Sequence, residues 1–146
     1  MLGYCRNMAR CALVPLLSAL LAACASGPPL TEERKAQLLE RAEARWRALE
    51  RRDFGTAWTY TSPAYREAFP KSLYLQKFSY MVEWQLTGVE FLTYDARAAV
   101  ASVAARVMSE PVKHTSAASA AIGAVPSRFV EQWVLVDGEW WFSARL

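Results

Sequence analysis

The dipeptide Asp137-Gly138 constrains this chain more than any other feature. It separates Val130–Val136 from Glu139–Ala144, two runs rich in β-branched and aromatic residues. Asp and Gly both tolerate positive φ, which a two-residue turn needs if its twist is to match the strands it joins. The pair predicts a β-hairpin near the C-terminus. A two-residue turn also sets the register: Val136 faces Glu139, Leu135 faces Trp140 and Trp133 faces Phe142. Side chains alternate along a strand. One side of the hairpin therefore carries Phe129, Glu131, Trp133, Leu135, Trp140, Phe142 and Leu146, which is the expected core side. The other side carries Val130, Gln132, Val134, Val136, Trp141 and Arg145.

Upstream, Gly88–Tyr94 and Ala98–Met108 read as two further strands around a turn at Asp95-Ala96-Arg97. Residues 109–127, rich in Ala and Ser with Pro111 and Pro126 near the ends, read as a long loop or an irregular hairpin. Helical patterning precedes all of this. From Thr31 to about Arg52, Leu38, Leu39, Ala42, Trp46 and Leu49 fall inside an apolar arc of roughly 100°. Thr31 is the expected N-cap. Arg41, Arg45, Arg47, Arg51 and Arg52 interleave with Glu40, Glu43, Glu50 and Asp53, which reads as a solvated face or a contact with anionic lipid headgroups. Asp53 is placed to cap a second helix. Ser62 is placed to cap a third, with Pro63 at the first helical position where its missing N–H costs nothing. Ser72 is expected to open a fourth, with Leu73, Leu75, Phe78 and Tyr80 as its large residues. Helices first and antiparallel strands after them make the fold class α+β.

The first thirty residues follow a different logic. Arg6 and Arg10 precede the apolar stretch Ala12–Ala23, which contains Pro15 and Ser18. That stretch is shorter than the roughly 20 apolar residues of a membrane-spanning helix, and the combination describes an export signal. Leu21-Ala22-Ala23-Cys24 resembles the lipobox of bacterial lipoproteins. The resemblance implies cleavage before Cys24, diacylglycerol on its sulfur and acylation of its new amine. The chain then divides into a signal peptide (1–23), a lipidated, flexible tether (24–30) and one domain (31–146). Ala25 and Ser26 follow the cysteine where inner-membrane lipoproteins often have Asp, so the resemblance places the protein at the periplasmic face of the outer membrane. Of 17 Lys and Arg, Arg6 and Arg10 leave with the signal, so 15 remain against 14 Asp and Glu. That balance gives nucleic acid no electrostatic attraction as a partner. Cys5 and Cys11 leave too, and with Cys24 lipidated no internal disulfide can form.

The segment "RWRALERRDFGTAWTYTSPAYRE", followed by strands and a terminal "EQWVLVDGEWWFS", resembles the nuclear transport factor 2-like superfamily, also called cystatin-like or SnoaL-like. Asp53 stands where the family's first helix ends. Ser62, Pro63, Tyr65 and Arg66 match its Ser-Pro-x-x-Arg-like segment, and Asp137, Gly138, Glu139 and Trp140 match its terminal Asp-Gly-x-Trp. The resemblance implies a curved sheet wrapped around helices into a cone, often with a pocket at the wide end. It implies no particular reaction, because function resides in the site and not in the fold.

The residues argue against catalysis. All three Asp have structural places: Asp53 as a cap, Asp95 in a turn and Asp137 in the hairpin. His114 is the single histidine and lies in the Ala/Ser-rich segment, without metal-ligating partners. No cofactor or metal motif is present. Glu131 is the exception, a carboxylate on the core side of the hairpin, where it must be paired, hydrogen-bonded or neutral. Arg106, or Tyr60, Tyr65 and Arg66, could supply its partner. Otherwise it meets water near an open end, or a bulge turns it outward. In the first case Glu131, Trp133, Tyr60 and Tyr65 would form a ligand-binding pocket. On the outer face, Trp141 with Val134 is a candidate homodimer interface, unless the 109–127 segment covers it. The expected function is that of a non-catalytic, membrane-anchored envelope lipoprotein that binds a protein partner or a small apolar ligand. The alternative is a small isomerase- or dehydratase-type enzyme using a pocket carboxylate.

Overall fold

The computed structural model describes residues 27–78, 82–113 and 116–144. Four helices come first: α1 (Glu32–Glu50), α2 (Phe54–Thr59), α3 (Pro63–Ala68) and α4 (Lys71–Gln76). Strands β1 (Val82–Asp95) and β2 (Val100–Pro111) follow, then the short helix α5 (Ala117–Ile122), β3 (Val125–Val136) and β4 (Glu139–Phe142). The strands form one antiparallel sheet in the order β1-β2-β3-β4. The α+β class expected from the sequence is what the chain adopts.

Side-chain caps define the first three helices. The Thr31 hydroxyl accepts from the Arg34 amide at 3.2 Å, Asp53 from Thr56 at 3.0 Å and Ser62 from Tyr65 at 3.2 Å. Each satisfies a backbone donor that a helix start leaves free. Helix α4 departs from expectation. It starts at Lys71 behind Pro70, without a side-chain cap, and it buries Tyr74 while Leu73 and Leu75 remain exposed.

The hairpin forms in the expected register, with Asp137 at φ 51° and Gly138 at φ 81°. The other strands run further than their composition suggests. β1 begins at Val82, where "VEWQLT" alternates in burial, and it carries irregularities between Leu86 and Gly88 and between Phe91 and Thr93. Each irregularity leaves one extra residue, Thr87 or Leu92, without an opposite number. β2 and β3 extend into the expected 109–127 loop and pair as far as Ser109 with Val125.

Helix α1 lies across the sheet and divides the core into two clusters. Trp46, Leu49, Leu86, Ala105 and Val107 fill one end. Leu38, Ala42, Ala101, Val103, Trp133 and Trp140 fill the other. Polar contacts fix the helix against β4: Arg41 Nε donates to the Trp140 carbonyl at 2.6 Å, and Trp140 Nε1 donates to the Arg34 carbonyl at 2.9 Å. The free edge of β4 is covered. The Phe142 amide donates to Tyr60 O at 2.8 Å and its carbonyl accepts from Ser62 N at 3.0 Å.

The segment leading into α1 differs from the flexible tether expected over 24–30. Residues 27–30 are bound to the domain. Tyr94 Oη donates to the Pro28 carbonyl at 2.6 Å, Arg34 donates to the Pro29 carbonyl at 3.1 Å, and Leu30 packs on the core. Two stiff prolines present carbonyls that cannot fold back into a helix, and neighbouring donors take them. Cys24 and the leader lie outside the described residues, as do His114, Tyr80, Arg145 and Leu146. Among the described residues no helix is long and apolar enough to cross a membrane.

Candidate functional site: a cleft over a buried ion pair

Position 131 faces the core because it shares parity with Trp133, and its partner comes from α1. Arg45 donates to Glu131 Oε1 at 2.5 Å, and both side chains are almost wholly buried, at 5% and 7% exposure. Trp133 Nε1 donates to the second carboxylate oxygen at 3.3 Å. The Arg45 guanidinium also stacks on the Phe142 ring, 3.7 Å from its centroid. Glu131 is thus paired and hydrogen-bonded, as a buried carboxylate must be. The expected partners are engaged elsewhere: Arg66 donates to the Thr59 and Thr61 carbonyls, and the Arg106 guanidinium lies beside Gly88. Arg45 does not belong to the solvated face assigned to it from sequence.

A cleft of about 400 Å³ lies over this pair. Arg45, Trp46 and Leu49 from α1, with Glu131 and Phe142 from the hairpin, line one part of it. Phe78, Trp84 and Phe129 supply aromatic walls. Trp46 meets Trp84 edge-on at 6.1 Å and Phe129 at 5.3 Å. Phe129 and Val130 are exposed, so the cleft communicates with solvent. Two of its lining residues carry buried N–H groups with no hydrogen-bond partner, Arg45 Nε and Trp46 Nε1. Both nitrogens are closed off from the open space of the cleft, and the Tyr74 hydroxyl lies against Arg45. Tyr74 lies beside the pair, and burial raises the pKa of its hydroxyl, with the Arg45 charge opposing.

Of the residues singled out in the sequence, Glu131 lines the cleft and Trp133 supports it from a fully buried position. Tyr60 and Tyr65 are not among the lining residues. Tyr60 lies under the Arg41 guanidinium, and Tyr65 is buried against Phe69 and Tyr74. Trp141 is held between Arg41 and Arg66, at 4.8 and 4.7 Å from the two guanidinium carbons, and it pairs with Val134 across the hairpin. Sequence reasoning missed Arg45 and Trp46 as site residues, and Phe78 and Trp84 with them. A signal for Arg45 was present: Leu38, Ala42, Arg45 and Leu49 follow a 4-3-4 spacing that puts the arginine on the buried stripe. Among the described residues no cluster of His, Cys, Asp and Glu is arranged to hold a metal. No family model matches the chain, and no curated protein matches it significantly.

Proposed function

We propose that the chain is a non-catalytic envelope lipoprotein, anchored through Cys24, whose domain holds a small uncharged amphipathic molecule in the cleft. One observation carries the reading: a charge-neutral buried pair under an aromatic cleft. An anion entering there would meet Glu131, and a cation would meet Arg45. An uncharged molecule avoids both conflicts, and a flat apolar body fits the rings. General acid–base work would need a carboxylate with a free face and a second proton carrier. Both Glu131 oxygens are engaged, and among the described residues no Asp, His or Tyr lines the cleft. A cleft of this size favours a small ligand over a protein partner.

The nuclear transport factor 2-like cone belongs to this proposal. Its support is the order of elements, helices followed by an antiparallel meander that α1 packs across, together with the three caps and the Asp-Gly turn. The lipid anchor at the periplasmic face of the outer membrane rests on the lipobox. The test is purification of the full chain from membranes, followed by mass spectrometry of the bound small molecules. A single uncharged compound near one equivalent, lost in Phe129→Glu, is the expected result. A stoichiometric anionic or cationic compound, or an uncharged one retained by Phe129→Glu, would refute the reading.

A further inference from the structure

Residues 27–30 bind one end of the domain only. Gly27 lies against the β1–β2 turn so closely that a Cβ there would fall 1.6 Å from the Ala96 carbonyl oxygen. The Pro28 carbonyl is held by Tyr94, two residues before that turn, and the Pro29 carbonyl by Arg34 in the first turn of α1. Resting on the lipoprotein reading, we infer that these residues form a strap. It makes the β1–β2 turn the membrane-facing end of the domain and turns the Trp84 end of the cleft toward water.

Chain length makes the strap decisive. Three residue steps separate Cys24 from Gly27, a reach of at most about 10 Å. With its acyl chains in the bilayer, Cys24 sits at headgroup level, so Ala96 and Arg97 lie within or just above that layer. The cleft runs from the hairpin side, where Phe142 and Glu131 share the register of Tyr94 and Phe91, to the far half of α1 and Trp84 near the start of β1. At 1.5 Å per residue, Arg45 lies about 20 Å along α1 from Glu32. Trp84 lies about 30 Å along β1 from Tyr94. The long sides of the domain carry the exposed charges Glu83, Glu90, Arg106 and Arg128, which hold them in water. Charge at the strapped end does not choose the orientation. Arg34, Lys35 and Arg97 there are matched by Glu32, Glu33 and Asp95, so an uncharged bilayer serves as well as an anionic one.

The experiment uses the full-length lipidated protein in phosphatidylcholine vesicles that contain a headgroup-quencher lipid. Arg97→Cys and Glu110→Cys, both at exposed positions, receive a thiol fluorophore. With Cys24 lipidated, the introduced cysteine is the sole thiol. The strap predicts several-fold stronger quenching at position 97 than at 110. It also predicts that a ten-residue Gly/Ser insertion between Ser26 and Gly27 largely abolishes the difference, because the anchor gains about 16–19 Å of reach. Equal quenching at the two positions in acylated protein, or stronger quenching at 110, overturns the strap and leaves the lipoprotein reading standing. Absence of acyl chains on Cys24 by mass spectrometry, with dye uptake by the chain lacking any introduced cysteine, overturns both.

Discussion

Replacing Glu131 by Gln changes one buried charge and almost no volume, so its effect isolates the ion pair. Arg45 would remain at 5% exposure with no counter-charge. Breaking a buried pair by removing one partner costs about 3–5 kcal/mol, because the remaining charge is uncompensated. The structure points to the lower end of that range. Gln keeps one oxygen that can accept from Arg45, and the Phe142 face, 3.7 Å from the guanidinium carbon, offers partial compensation. The Gln amide nitrogen would then face Trp133 Nε1, donor against donor, where Oε2 now accepts at 3.3 Å. The expected loss is about 3 kcal/mol, or a fall in Tm of about 10 °C for a domain of this size. Urea and thermal unfolding followed by tryptophan fluorescence measure it. The double variant Arg45→Met/Glu131→Leu removes both charges and should return to within about 1 kcal/mol of the parent or exceed it. A Glu131→Gln variant within about 0.5 kcal/mol of the parent, or a double variant as unstable as the single, would refute the argument that pairing, and not packing, keeps this site folded.

Two other outcomes follow from local features. Burial holds the Tyr74 pKa above the ordinary value of about 10. The folded state therefore keeps this proton where the unfolded chain has lost it, so stability is intact below about pH 10 and declines as pH rises through the folded pKa. Tyr74→Phe should flatten that alkaline slope, which unfolding between pH 7 and 11 tests. Gly138→Ala forces a side chain into φ 81° and should cost about 1 kcal/mol, read by thermal unfolding.

The sequence made the turns and caps legible because these depend on residues close together in the chain. Thr31, Asp53, Ser62 and Asp137-Gly138 each determine their geometry within four positions, and each does so in the structure. Strand lengths were harder to read. The alternation of Val82 to Thr87 is sound, yet it follows a helix and lacks a turn signal at its start, so only the stretch from Gly88 stood out. The site was half legible. Glu131 betrayed itself as a charge among apolar neighbours, whereas Arg45 hid among other charges on α1 although its spacing placed it on the buried stripe. Each residue was a misfit on its own element, and only the packing of α1 on β3 shows that the two misfits cancel. Trp46, Phe78 and Trp84 were beyond reach for a related reason: α1 meets there a segment more than thirty residues further along the chain.

A sheet of four strands has two rims, and an unguarded rim recruits further strands from neighbouring molecules. Here β4 and β1 are each blunted, by different means. β4 is only four residues long, and the 60–62 segment occupies its outer bonds at Phe142. β1 is long but uneven, with two one-residue insertions that break its line and Glu83 and Glu90 standing out from it. Copies crowded side by side therefore find no straight template along β1 or β4, and at these two strands the molecule gains resistance to fibrous stacking from features that shorten or weaken its own ladder.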